Sequence, residues 1–470
     1  MDRRQFVGAA SLLATGFLAD LAAAAPAEFP VVRTLPGRRR FSSAAVEAAI
    51  GRVKSSIGNR ELAWMFENCF PNTLDTTVDF SIEGSRPDTY VITGDIDAMW
   101  LRDSTAQVWP YLPLMKDDDK LRQLIAGVIN RQTRCILKDP YANAFYKDEN
   151  KLSDWKDDLT EMKPGVHERK WEVDSLCFPI RLAYRYWKTS GDASPLDAAW
   201  RKAIGLTVQT FRQQQRKTDR GPYRFQRRTT TPTDSLPGGG YGRPIRPVGL
   251  ICSMFRPSDD STVFPFLVPA NFFAVVSLRQ AAEMLDALGG DRPTAVACRE
   301  LADEVEAALK QWAVVQRPPF GKIYAYEVDG YGNSYCVDDS NVPGLLSLPY
   351  YSAVTASDPV YQNTRRMLLS DANPYYFKGR AGQGPGGPHA GPDMIWPLGV
   401  ILRAATSTDD AEIRLCLETL QRTHAGTGFM HEAFHKDDAR RFTRSWFAWA
   451  NTAFGELILR VLHDRPQLLG

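Results

Sequence analysis

The sequence predicts an all-α fold, an (α/α)6 toroid in which paired helices close as an inner ring inside an outer ring with long loops gathered at one mouth. Three observations point there. Helical periodicity recurs about a dozen times along the 470 residues without a linker. Strand signals are scarce. The Gly, Asp, Trp and His clusters fall between the helices rather than on them. A solenoid would carry a repeat of roughly 30–45 residues, and none is present.

Taken in order, residues 1–26 read as an export signal outside the fold. Asp2-Arg3-Arg4-Gln5-Phe6 is a twin-arginine pattern, an apolar run follows from Val7 to Leu21, and Ala22 to Ala25 offers small-residue cleavage sites. The run is too short and too alanine-rich for a membrane span, which is the competing reading. The expected location is the bacterial periplasm, with no membrane attachment after signal removal. Residues 27–44 are an N-terminal extension, and 45–465 a single (α/α)6 domain. Apolar periodicity places helices at 43–57, 61–69, 104–115, 120–137, 174–189, 195–216, 264–288, 293–313, 341–350, 359–368, 394–405, 409–423 and 444–463. Residues 89–93 and 321–327 are expected as minor strands. Two glycine-rich stretches, 221–246 and 379–391, are expected as extended loops, the second at the rim.

Composition narrows the function. A net charge of +2 implies neither a nucleic-acid nor a membrane partner. The 11 Trp, 17 Tyr and 23 Phe include rings that suit the apolar faces of sugars, although core packing accounts for most of them. Seven scattered cysteines with no C-x-x-C pair speak against a zinc cluster and read as small buried residues.

The loops carry the chemistry. Trp100-Leu101-Arg102-Asp103-Ser104 enters a helix, with Asp103 or Ser104 as its cap. An Arg that donates beside an Asp that accepts also suits vicinal hydroxyls. His167 to Asp174 sets three carboxylates and Trp171 before another helix, with Asp174 and Ser175 as cap. Phe255-Arg256-Pro257-Ser258-Asp259-Asp260 precedes the segment expected as the 264–288 helix, where paired acids are also favoured by the helix dipole. Val337 to Asn341 repeats the theme, and His389 and Trp396 add an imidazole and an indole. Four of the six histidines (His167, His389, His431 and His435) fall in these loops, forming an acidic, aromatic rim suited to neutral polyhydroxylated substrates.

His431-Glu432-x-x-His435 admits a rival reading. On a helix, the two histidines would share a zinc and Glu432 would act as the base of a metallopeptidase. Glu456 lies twenty-one residues beyond His435, where a third ligand is sometimes found. Against this, Gly426-Thr427-Gly428 before the motif and Lys436-Asp437-Asp438 after it are poor helix formers. A zinc peptidase would hold stoichiometric metal and lose activity to chelators.

Long segments of the chain resemble glycoside hydrolase family 125, the inverting exo-α-1,6-mannosidases. They include TGDIDAMWLRDSTAQVWPYL (93–112), ERKWEVDSLCFPIRLAYRYWK (168–188), FRPSDD (255–260), GPHAGPDMIWPL (387–398) and GTGFMHEAFHKDDARRFTRSWFAWANTAFGELI (426–458). The resemblance covers about residues 45–460, and it implies an (α/α)6 barrel. The WLRDS segment is also similar to the sugar-gripping loop of inverting glucoamylases. By family pattern Asp259 is the general acid and Glu432 the general base; the residues alone leave Asp260 an equal candidate for the acid. The resemblance implies α-mannoside oligosaccharides or N-glycan fragments as substrates and no cofactor or metal. It implies carboxyls about 6.5–9.5 Å apart with a water between them. Candidate substrate-binding residues are Trp100, Arg102, Asp103, Trp171, Asp174, Arg256, Asp260, His389 and His431. The family's common Gly-Ser-Pro-His reads Gly386-Gly387-Pro388-His389 here.

Overall fold

The computed structural model of the protein describes residues 29–470. The expected export signal, residues 1–26, and the start of the extension lie outside the described residues. Val32–Gly470 is one compact unit. Its helices are α1 (Ala44–Ser56), α2 (Arg60–Cys69), α3 (Asn72–Thr76), α4 (Leu101–Val108), α5 (Asp119–Lys138), α6 (Val173–Ser190), α7 (Ala198–Gln214), α8 (Val268–Leu288), α9 (Arg292–Trp312), α10 (Pro359–Leu368), α11 (Pro397–Ala405), α12 (Asp410–Thr423) and α13 (Ala448–Asp464).

Two kinds of helix start alternate along the chain. Helices α2, α5, α7, α9, α10 and α12 open on Asn59, Asp118, Asp197, Asp291, Asp358 and Asp409, whose side chains accept backbone N–H bonds of the first turn. Helices α4, α6, α8, α11 and α13 follow Trp100, Glu172, Leu267, Trp396 and Phe447, and none of these caps. The uncapped helices are also one another's neighbours. α4 packs on α6, α6 on α8, α8 on the 3-10 segment Leu345–Tyr351, that segment on α11, α11 on α13, and α13 returns to α4. Five of the six capped helices lie against them: α5 on α6, α9 on α8, α10 on the 3-10 segment, α12 on α11 and α2 on α13, while α7 packs on α5 and α9. Aromatic rings fill the space where these elements meet. Phe178 meets Phe273 edge-on at 5.0 Å, and Phe273 meets Tyr351 at 4.4 Å. Each such buried ring contributes about 1.5–3 kcal/mol.

The strands are short. β1 (Val78–Glu83) and β2 (Arg86–Val91) form a hairpin, and β3 (Met99–Trp100), β4 (Ala144–Phe145) and β5 (Val166–Glu168) a small antiparallel sheet. After β6 (Phe266–Leu267) come the hairpin β7 (Val314–Arg317)–β8 (Gly321–Tyr324), then β9 (Glu327–Val328) and β10 (Ser334–Tyr335), which join β6. β11 (Tyr376–Lys378) and β12 (Gln383–Pro385) make a hairpin whose second strand falls in the expected rim loop. β13 (Met394–Ile395), β14 (Ala433–His435) and β15 (Asp438–Thr443) complete the set.

Several sequence expectations are corrected here, mostly by proline. The expected 104–115 helix is α4 followed by the 3-10 segment Trp109–Lys116, because Pro110 and Pro113 cannot donate to an α-helical ladder. The expected 341–350 helix is 3-10 for the same reason, with Pro343 before it and Pro349 inside it. α8 starts at Val268, with Pro269 in the first turn where a missing N–H costs nothing, so Asp259 and Asp260 do not stand at a helix start. Asp103 and Ser104 lie within α4, and Asp174 and Ser175 within α6, so none of them is a cap. The H-E-x-x-H residues do not form a helix: Ala433–His435 is a strand. No helix among the described residues is long and apolar enough to cross a membrane.

Candidate active site

The turn Phe255–Ser261 carries the first pair of carboxylates. Its ends form a β-bridge, and the Arg256 N–H donates to Asp260 O at 2.8 Å across the turn. The reversal forces Asp259 to φ +67°, a left-handed conformation costly for most side chains and tolerated better by Asp and Asn. Lys170 Nζ donates to the Asp259 carbonyl at 2.9 Å, and Asn143 Nδ2 to Asp259 Oδ1 at 3.4 Å. The Asp259 side chain keeps 27% exposure, whereas Asp260 is buried. Arg256 is fixed from behind by Glu327 (2.6 Å), and Ser258 donates to Asp339 (2.8 Å).

Arg102, in the first turn of α4, is buried and faces a crowd of acids. Its Nη1 donates to Glu172 Oε2 at 2.5 Å and to Asp174 Oδ2 at 3.0 Å, and its Nη2 lies 3.8 Å from Asp259 Oδ1. One guanidinium does not offset burial for two carboxylates. Burial pushes Glu172 well above the ordinary carboxylate range, and pushes Asp174 up to about 6, against the pull of Arg102. Asp103 is raised by burial too, although Arg102 and a 2.7 Å bond from Thr93 Oγ1 oppose it. Glu168 takes the opposite course. Lys170 and Arg227 outweigh its burial and hold it at about 2.

Glu432 stands just before β14. Thr443 Oγ1 donates to its Oε2 at 3.0 Å and Arg444 Nη1 to its Oε1 at 3.4 Å, while Arg444 Nε is tied to Asp95 at 2.8 Å. His389 lies on the loop between β12 and β13. Its Nδ1 lies 3.7 Å from Asp260 Oδ1. Its side chain is 36% exposed; desolvation opposes the charge, but Asp260 first, then Glu432 and Asp259, draw its pKa up to about 9. Asp260 is in turn held below its usual value, burial being outweighed by His389. The loop is pressed against its neighbour. A Cβ at Gly387 would lie 2.6 Å from the Asp339 carbonyl oxygen, which is why the chain has glycine there.

Asp259, Ser340, Asp393 and Arg444, four of the seven non-glycine residues with positive φ among the described residues, belong to these loops. Such strain collects where side-chain placement matters more than stability. Asp174 Oδ1, Arg256 Nη2, Asp260 Oδ2 and Trp396 Nε1 are buried without a hydrogen-bond partner in the protein, which suits groups that meet a polar ligand.

One expected site residue lies elsewhere. Trp171 is a core residue: it is 1% exposed, its indole N–H donates to Cys252 O at 2.7 Å, and its ring meets Tyr141 edge-on. His431 is stacked flat on Phe442 at 3.7 Å, burial lowers its pKa to about 4, and its buried Nδ1 has no hydrogen-bond partner in the protein. Trp100 is nearly buried, edge-on to His167 at 5.2 Å. His435, on β14, accepts from the Asp437 N–H at 3.2 Å, and Glu456 accepts from Trp109 Nε1 and Tyr350 Oη in a separate interior cluster. Among the described residues no group of three His, Cys, Asp or Glu could hold a metal. Asn143, Lys170 and Arg444 were not singled out from sequence, although all three lie in or beside the resembling segments.

A helical body whose loops gather carboxylates, arginines and an imidazole has the groups that acid–base hydrolysis of a glycoside uses. The chain belongs to glycoside hydrolase family 125, whose profile, described as metal-independent alpha-mannosidase, matches residues 59–459. It is 42% identical over 465 residues to the meiotically up-regulated gene 157 protein of Schizosaccharomyces pombe, covering 95% of this chain and 91% of that protein. It superposes with a TM-score of 0.87 and 41% identity on a metal-independent α-mannosidase of Streptococcus pneumoniae in a non-productive complex with α-1,6-mannobiose. That match covers 91% of this chain and all of the other. A bacterial glucoamylase bound to acarbose shares the fold more distantly, with a TM-score of 0.51 and 14% identity over 79% of this chain and 50% of that one.

Proposed function

We propose that the protein is an exo-acting α-mannosidase that removes terminal α-1,6-linked mannose from oligosaccharides or N-glycan fragments with inversion. The observation that carries this is the likeness over 91% of the chain to the α-mannosidase seen with α-1,6-mannobiose, and Asp259 and Glu432 are both near enough to His389 to raise its pKa. Asp259, half-open between Arg102 and Lys170, gives its proton to the glycosidic oxygen as the C1–O bond breaks. Glu432, anchored by Thr443 and Arg444, takes a proton from the water that attacks C1 from the opposite face. Arg102 and Asp103 grip the terminal mannose, with Asp174, Arg256, Asp260 and His389 around them. The acid–base route needs no metal, in keeping with the family's description.

The alternation of capped and uncapped helices, and the return of α13 to α4, support an (α/α)6 toroid with the site at the uncapped ends. Export through the twin-arginine segment is part of the same proposal. Replacing Arg3 and Arg4 by Lys and fractionating the cells would test it, and unchanged periplasmic activity would sink it.

Stereochemistry tests the catalytic reading. Proton NMR in the first minutes should detect β-mannose, which then mutarotates. Initial α-mannose would mean a covalent intermediate with carboxyls about 5 Å apart, and Glu432 would lose its role.

A further inference from the structure

Three of the eight most exposed large hydrophobic side chains among the described residues fall within eight positions: Leu152 (62%), Trp155 (40%) and Leu159 (45%). Their loop joins β4 to β5 and is firmly held. Backbone bonds link Leu159 and Gln226 in both directions, Ser153 Oγ donates to the His167 carbonyl, and the Trp155 N–H donates to Ser153 Oγ at 2.9 Å. The indole lies on the Arg227 guanidinium, 3.8 Å from its centroid, and Arg227 is itself fixed by two bonds to Asp158 (2.9 and 2.7 Å). A large ring is thus kept rigid with one face supported and the remainder open to solvent.

Its place relative to Asp259 follows from a short chain of contacts. Arg227 Nη2 donates to Glu168 at 3.0 Å, Glu168 lies 3.4 Å from Lys170 Nζ, and Lys170 donates to the Asp259 carbonyl at 2.9 Å. Trp155 is thus linked through Arg227, Glu168 and Lys170 to the turn that carries Asp259. In an inverting hydrolase the acid stands beside the leaving oxygen, so the leaving part of the glycan runs out along the acid's wall. Three apolar side chains are far too few for a protein interface, which takes roughly 20–30 residues a side. They do match the apolar face of one pyranose.

We propose that the loop around Trp155 is a distal leaving-side subsite, in which the open indole face stacks on a mannose beyond the first leaving sugar. The inference rests on the catalytic reading above and adds to it a preference for longer chains. The test compares kcat/KM on α-1,6-linked mannobiose, mannotriose and mannotetraose for the wild type, Trp155→Ala and Trp155→Phe. The readout is the ratio of tetraose to biose. An aromatic contact of this kind corresponds to about five- to tenfold, so that ratio should fall by this factor in the alanine variant, through KM, and largely return in the phenylalanine variant. An unchanged ratio, whether from no loss or from equal loss at every length, would overturn the subsite and leave Trp155 a structural partner of Arg227. Failure of the wild type to cleave mannobiose would instead remove the catalytic reading, and the subsite with it.

Discussion

Replacing Asp259 by Asn separates the acid's chemistry from its architecture. The residue occupies φ +67°, which Asn tolerates about as well as Asp, so the turn survives. The Lys170 bond goes to the backbone carbonyl, and the Asn143 contact goes to an oxygen that Asn retains. Glu172, Asp174 and Asp103 keep Arg102 beside them, which the substitution does not touch. The melting temperature should therefore stay within about 2 °C of wild type. Activity should not. A positioned general acid contributes about 10²–10⁴-fold, so kcat/KM on α-1,6-mannobiose should fall about 1,000-fold, or about 4 kcal/mol of transition-state stabilisation. A dinitrophenyl α-mannoside, whose leaving group needs little protonation, should lose about tenfold or less. Equal losses on the two substrates would refute the acid role, and selective loss in Asp260→Asn instead would move the role by one residue.

The His389–Asp260 pair should show in a titration. His389 is held at about 9 against an ordinary 6.5, so the stability it contributes is complete below about pH 6.5 and is lost as pH rises through about 9. NMR of its ring protons should report that value and its fall toward 6.5 in Asp260→Asn; a value still near 9 would assign the shift to Glu432 and Asp259. Arg102→Met leaves Glu172 and Asp174 buried without a counter-charge, which costs about 3–5 kcal/mol at neutral pH. Because Arg102 is what opposes burial at Asp174, held at about 6, and at Glu172, both carboxyls rise further without it, so the deficit in denaturant midpoints should shrink as pH falls toward about 6 and be small below it. A deficit independent of pH would show that packing, not charge, is what Arg102 supplies.

The helices were legible because their apolar stripes are long, and misread where proline intervened. Nothing in a hydropathy pattern separates the 3-10 segment Leu345–Tyr351 from an α-helix, but Pro343 and Pro349 do. The strands beside the mouth were mostly invisible, since pairs such as β3 and β13 are only two residues long and have no periodicity to detect. Asp259, Glu432 and His389 stood out as charges in loops that helical packing does not explain. Trp171 stood out as an aromatic ring in such a loop and misled, because a sequence does not say whether an indole N–H points at a sugar or at the carbonyl of Cys252. Lys170 and Arg444 were passed over because a lone cation in a loop is ordinary. What distinguishes them is which carboxylate or carbonyl each one holds, and that appears only in three dimensions.

The closure of α13 onto α4 has a bearing on how the chain is made. Gly94 bridges Phe447, the Ala448 N–H donates to Thr93 O, and Asn451 reaches Asn72, so a wall begun near the start of the chain is completed by almost its last helix. At about 5–20 residues per second, a ribosome would take roughly 20–90 s to reach α13. Throughout that interval α2, α3 and α4 present to solvent the apolar surface that α13 will cover. Contacts separated by more than 350 residues are also slow to find, because a long loop must close before any of them forms. The unfinished chain therefore depends on being shielded until synthesis ends, and a truncation of its last twenty residues should be cleared as an unfolded polypeptide rather than persist as a weakened enzyme.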